Sequence, residues 1–221
     1  WDILGKSLNT PVHQLLGGAV RDRVQVYAHT GGGTLEELCI RSKELVRKGF
    51  RVLKTGFDPP EAYIENKNFV DSCVDRFAAL RDSVGTDVDL AIDFHGRFSP
   101  AMSKRMIRAL EPYYPFFIEE PCLPGNIDAL IELKNSTTVP LATGERLFTK
   151  WGFRELIERK AVAILQPDLC HAGGIGEVKK IAAMAEACDL AVAPHNPLGP
   201  ISLAACLQLD ACTHNAFLQE Q

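Results

Sequence analysis

Leu90-Ala91-Ile92-Asp93-Phe94-His95 is a short apolar run that closes on an acid and a histidine. The same form returns in Phe116-Phe117-Ile118-Glu119-Glu120-Pro121 and in Pro140-Leu141-Ala142-Thr143-Gly144-Glu145. Asp93, Glu119 and Glu145 lie at the ends of their runs, 26 residues apart in both intervals. Asp168, His195 and Glu220 continue the series at intervals of 23, 27 and 25. One strand-plus-helix unit of an α/β barrel has about that length, so each residue marks the same level on successive strands.

Outward from these runs, the whole chain alternates. Strands are expected at Val24–His29, Arg51–Phe57, Leu90–His95, Phe116–Pro121, Pro140–Glu145, Ala163–Leu169, Leu190–Asn196 and Ala216–Gln221, each β-branched or apolar. Helices are expected at Thr34–Lys48, Glu61–Val84, Pro100–Pro112, Ile127–Ser136, Lys150–Arg159, Gly174–Cys188 and Pro200–Asp210. In the sixth of these, Ile175, Val178, Ile181 and Met184 recur three apart, the spacing of a sheet-covering face. Strict alternation points to a parallel sheet, because parallel neighbours need crossover connections. Eight strands suggest closure into a barrel, although periodicity alone does not separate a barrel from an open doubly wound sheet. Residues 1–20 precede the first strand, and Pro11–Gly18 reads as a short helix ended by glycine. With Trp1 at one end and Gln221 at the other, the chain reads as a piece of a longer protein.

Composition narrows the function. The 221 residues are 46% hydrophobic and 24% charged, with 24 Lys+Arg against 28 Asp+Glu. A net charge of −4 without basic runs gives no electrostatic case for nucleic acid. No apolar stretch is long enough to span a membrane as a helix. Seven cysteines without a C-x-x-C pair suit reduced, mostly buried thiols in a cytosol-like compartment rather than a disulfide framework.

Three carboxylates at one level repel one another unless a cation neutralises them. An all-oxygen set at Asp93, Glu119 and Glu145 suits a hard ion, and Mg²⁺ leaves positions open for substrate. His95 follows Asp93 by two, so on a strand both side chains share a face. His195 and Asp168 fall on neighbouring strands, where the carboxylate can fix the imidazole tautomer and raise its basicity. Lys54, at the end of the second strand, can act as a base or as a fixed positive charge. Gly31-Gly32-Gly33 reads as a flexible loop, and Cys122 and Cys170 as small buried residues. His13, His29, His171 and His214 lack such a partner and are expected to be structural or minor substrate contacts.

At this point the sequence resembles the enolase superfamily in its mandelate racemase-like branch. The matching motifs are Trp1-Asp2-Ile3-Leu4-Gly5-Lys6, Ala91-Ile92-Asp93-Phe94-His95-Gly96-Arg97, Phe117-Ile118-Glu119-Glu120-Pro121 and Gly144-Glu145-Arg146. Further along they are Gln166-Pro167-Asp168-Leu169-Cys170-His171-Ala172-Gly173-Gly174, Pro194-His195-Asn196-Pro197-Leu198-Gly199-Pro200 and Leu218-Gln219-Glu220-Gln221. The D-x-H at 93–95 together with the His195 motif resembles the acid-sugar dehydratases. The resemblance implies a (β/α)₇β barrel over residues 21–221, with residues 1–20 the trailing edge of an absent α+β capping domain. It implies one Mg²⁺ on Asp93, Glu119 and Glu145, with Glu120 pointing away. His195 with Asp168 would be the base, His95 the general acid, and Glu220 a hydrogen-bonding partner for an enediolate. Lys54, Arg97 and Asn196 would bind a small sugar acid, galactonate foremost, in a cytoplasmic enzyme that is homo-oligomeric at full length. Racemases of this branch carry K-x-K after strand two; here the second position is Gly56, which disfavours a two-lysine racemase. A dehydratase or epimerase for another aldonate or aldarate, and an inactive truncated barrel, remain as alternatives.

Overall fold

The computed structural model describes residues 1–197 and 199–221; Leu198, within the Pro194–Pro200 motif, lies outside the described residues. The chain forms two compact units, Tyr27–Thr143 and a second made of Trp1–Val26 with Gly144–Gln221.

Strands β1 (Val26–His29, of the first unit from Tyr27 on), β2 (Val52–Gly56), β3 (Asp89–Asp93), β4 (Ile118–Glu119) and β5 (Leu141–Thr143) pair in sequence order, all parallel. Helices α3 (Leu35–Arg47), α4 (Lys67–Val84), α5 (Pro100–Leu110) and α6 (Ile127–Asn135) make the crossovers that parallel pairing requires. Each helix starts where a side chain can take its unpaired N–H groups. Thr34 and Glu37 form a reciprocal capping box on α3, while Asn66, Ser99 and Asn126 cap α4, α5 and α6. Leu53, Leu90, Ile92, Phe117, Ile118 and Leu141 from the strands, with Phe77, Leu80, Met106 and Leu130 from the helices, are buried in the core.

One expected helix needs correction. The stretch Glu61–Val84 is helical only from Lys67. Asn66 supplies the cap, its side chain accepting from Phe69 N at 3.1 Å. Before it, the Glu65 carboxylate gathers the N–H groups of Glu61 and Ala62 at 2.6 and 2.8 Å, which closes a loop rather than a turn of helix.

The second unit holds α1 (Asp2–Ser7), α2 (Val12–Leu15), α7 (Thr149–Glu158), β6 (Ile164–Leu165), α8 (Leu169–Ala172), α9 (Ile175–Glu186), β7 (Ala191–Val192), α10 (Pro200–Ala211) and β8 (Gln219–Glu220). β6 and β7 pair in parallel, extended by a bridge between Asp168 and His195, and Val192 bridges to Ala216. Regular pairing is shorter than the apolar runs Ala163–Leu169 and Leu190–Asn196. Pro167 and Pro194 have no N–H to give a ladder, and Asp168 already caps the unexpected helix α8. The Pro11–Gly18 helix forms as α2, preceded by α1, which the sequence pattern did not show. These N-terminal residues dock on α10: His13 N donates to Gln208 Oε1 at 3.0 Å, Val20 N to Ala211 O at 2.8 Å, and the Arg21 guanidinium to the carbonyls of Asp210, Thr213 and His214. Among the described residues no helix is long and apolar enough to cross a membrane.

Candidate active site

In the first unit, strand register gathers one group of polar side chains at strand ends. Gly56 on β2 pairs with Asp93 on β3, and Asp93 pairs with Glu119 on β4. Lys54 lies two residues before Gly56, so its side chain leaves the same face of β2. Its ammonium, 2% exposed, stands 2.7 Å from Glu119 Oε2 and 3.7 Å from Asp93 Oδ2. The Tyr27 ring lies 5.3 Å from the same nitrogen. Lys54 is therefore a buried counter-charge and not a solvated surface lysine.

His95 joins this group by a route other than strand alternation. β3 ends at Asp93, and His95 has a left-handed backbone at φ 54°. That turn lets Asp93 accept from the His95 backbone N–H at 2.7 Å while His95 Nε2 lies 3.1 Å from Asp93 Oδ2. The expectation that alternation alone aligns the two side chains is corrected by this turn. Gly56 has a local reason as well: a Cβ there would stand 3.4 Å from His95 Cε1 and from the Asp93 carbonyl. The carboxylate of Glu120, fully buried, accepts from the Thr143 hydroxyl and so is engaged toward β5. Arg97 is exposed beyond the turn.

In the second unit the polar side chains surround His195. Its Nδ1 lies 2.8 Å from Asp168 Oδ2, and the Asp168–His195 bridge sets the two backbones side by side. Asp168 is held in turn by α8, whose N-cap it forms: Oδ1 accepts from Cys170 N at 2.7 Å and His171 N at 3.3 Å. A carboxylate fixed by two backbone N–H groups keeps a set orientation toward the imidazole. On the other ring nitrogen, Nε2 lies 3.1 Å from Glu145 Oε2 and 4.0 Å from Glu220 Oε2. Burial pushes the His195 imidazolium down, but the bond to Glu145, the charge of Glu220 and the bond to Asp168 outweigh it and carry it up to about 9. Glu220 is buried; its carboxylate accepts from the Asn196 backbone N–H at 2.6 Å and its carbonyl from the Asn196 side-chain amide at 3.5 Å. Arg146 stands 3.3 Å from Glu145 Oε1. Gly144 precedes Glu145 at φ 149°, and a Cβ there would meet the Gln166 backbone at 2.8 Å, a space that only glycine fits.

Two features were not expected from the sequence. His171 Nδ1 lies 3.9 Å from Asp168 Oδ2 and 3.5 Å from Glu145 O, so it does have an acidic neighbour; the Asp-x-x-His spacing of one helical turn was the available signal. Cys170, on α8, is exposed rather than buried, with its thiol 3.5 Å from Ser202 Oγ. Cys122, by contrast, is buried as expected, and burial pushes its thiol up to about 11, which removes it as a nucleophile.

The donors suit a hard divalent cation. Asp93 and Glu119 are carboxylates, 5% and 0% exposed, that converge on a single ammonium; two negative charges thus face one positive charge. These two supply oxygen donors alone, the chemistry a hard divalent cation selects.

With this fold and these strand-end residues, the chain belongs to the Enolase C-terminal domain-like family, which it matches over residues 37–221. Among individual proteins it is similar to the D-galactonate dehydratase of Variovorax paradoxus (strain S110), 48% identical over all 221 residues, and to that of Klebsiella pneumoniae (strain 342), 47% identical. In both cases it spans 58% of the relative's length. Among solved structures it resembles a putative dehydratase from Mesorhizobium loti, with a TM-score of 0.95 and 34% identity over the whole chain and 60% of that protein. It also resembles a mandelate racemase/muconate lactonizing enzyme-like protein from Rubrobacter xylanophilus, TM-score 0.91 and 36% identity, over 96% of this chain and 60% of that protein.

Proposed function

We propose that the protein is a Mg²⁺-dependent acid-sugar dehydratase that converts D-galactonate to its 2-keto-3-deoxy acid. The observation that carries this reading is the environment of His195, an imidazole oriented by Asp168 at 2.8 Å with the Glu145 and Glu220 carboxylates about its other nitrogen. The relatives named D-galactonate dehydratase, at 47–48% identity, support the choice of sugar. In this reading Tyr27–Thr143 and the second unit complete one (β/α)₇β barrel, and residues 1–20 adjoin a capping domain.

A proton α to a carboxylate is very weakly acidic, and its removal builds charge on the carboxylate oxygens. Asp93, Glu119 and Glu145 would hold Mg²⁺, which would supply Lewis-acid stabilisation of that charge. His195 Nε2 takes the C2 proton, while Asp168 keeps Nδ1 protonated and the ring in place. A cation held at Glu145 would weaken the contact that favours the imidazolium, which would suit His195 to start as a neutral base. Glu220, once protonated, would donate a hydrogen bond to the enediolate oxygen. His95, oriented by Asp93, protonates the departing C3 hydroxyl, and tautomerisation gives the ketone. Arg97 and Asn196 belong to the substrate-binding set, with Lys54 beside the metal ligands. A cytoplasmic location and homo-oligomeric assembly complete the reading; seven free thiols and exposed apolar side chains such as Tyr63, Trp151 and Ile201 support them.

The test is proton NMR of the protein with D-galactonate and Mg²⁺ in D₂O, against a control with excess EDTA. The expected result is a keto-deoxy product with Mg²⁺ and none with EDTA. Equal turnover in both, or a product other than the 2-keto-3-deoxy acid, overturns the assignment.

A further inference from the structure

One buried charged cluster contains a cation of its own. Lys54 is among the largest fully buried side chains, and no salt screens it there. Its ammonium donates to Glu119 Oε2 at 2.7 Å and lies 3.7 Å from Asp93 Oδ2, with the Tyr27 ring face 5.3 Å away. Across the register Gly56–Asp93–Glu119, both carboxylates rise from the floor on which Lys54 stands. Burying two carboxylates without a counter-charge is strongly unfavourable, and this lysine supplies one from within the fold.

We propose that Lys54 is a resident counter-cation that competes with the divalent metal for Asp93 and Glu119. The inference rests on the metal reading given above and goes beyond it. Glu119 Oε2 cannot serve an ammonium at 2.7 Å and a metal ion at full strength together, and two cations a few ångströms apart in a buried site repel one another. Metal binding is then an exchange in which Lys54 gives up its carboxylates. Two consequences follow with opposite signs. The fold of the first unit depends less on metal, because Lys54 compensates part of its buried negative charge. The affinity for metal is set below what the same carboxylates would give alone.

The experiment compares the intact wild-type protein with Lys54→Met by calorimetric Mg²⁺ titration and by thermal melting with MgCl₂ or EDTA. The variant is expected to bind Mg²⁺ about tenfold more tightly or better, to melt at lower temperature than wild type in EDTA, and to recover most of that loss in Mg²⁺. Equal or weaker Mg²⁺ binding by the variant overturns the inference while leaving the metal site standing. Absence of Mg²⁺ binding by wild type overturns the functional reading itself. Should Lys54→Met not fold, acetylation of Lys54 in wild type, read by peptide mass spectrometry, decides the matter. Several-fold faster labelling with Mg²⁺ than with EDTA supports exchange, and equal rates contradict it.

Discussion

At the scale of single residues, the site is built as much by backbone as by side chains. Gly144 shows this most sharply. Its φ of 149° and the 2.8 Å approach of the Gln166 backbone leave no room for a Cβ, and the next residue is Glu145. Gly144→Ala is expected to cost about 2 kcal/mol or more, because backbone must shift on one side or the other. A denaturant midpoint equal to wild type would refute that. Glu145→Gln is expected to weaken Mg²⁺ binding by about tenfold or more in a calorimetric titration; an unchanged affinity removes Glu145 from the ligand set. The strand-end pairing of Asp93 with Glu119 and the bridge of Asp168 to His195 follow the repeated strand-plus-helix length that the sequence displays. His171 and the exposure of Cys170 were not legible there, since both depend on α8, a four-residue helix too short to leave a hydrophobic period. The left-handed turn at His95 was hidden for another reason: histidine carries no marker for positive φ as glycine does.

At the scale of elements, periodicity and caps carried most of the information. The long helices α3, α5, α6 and α9 begin and end within a residue or two of where the apolar pattern places them. The start of α4 moved because a capping asparagine and a carboxylate-held loop outweigh a continuing polar pattern. Prolines shortened β6 and β7 without changing their order along the chain. Helix α10 contains a device that the sequence did not disclose. Asp210 is 1% exposed, neither of its carboxyl oxygens has a hydrogen-bond partner among the described residues, and burial pushes it up to about 8, against the opposing pull of Arg21. In the unfolded chain the same group titrates at about 3.9. Between those values the folded protein keeps a proton that the unfolded chain has lost. Stability therefore falls as pH rises from about 4 to about 8, on the order of 1 kcal/mol per pH unit from this group, and levels off above. Asp210→Asn removes that slope. The variant is expected to melt higher than wild type at pH 7, with the difference shrinking toward pH 4. A difference independent of pH would show that Asp210 is ionised in the folded state.

At the scale of the whole molecule, the chain is the family's strand-end chemistry on an α/β frame, spanning 58% of the length of its D-galactonate dehydratase relatives. In the proposed mechanism His195 is the base and His95 the acid, each oriented by an aspartate of its own unit at 2.8 and 3.1 Å. Two histidines with separate orienting carboxylates can be removed one at a time, and the two steps they serve leave different signals. The most direct measurement is proton NMR in D₂O, with D-galactonate and Mg²⁺, on His195→Asn and His95→Asn. The account predicts that His195→Asn abolishes exchange of the C2 proton and that His95→Asn keeps exchange while losing the keto-deoxy product. Equal loss of exchange in the two variants would contradict it.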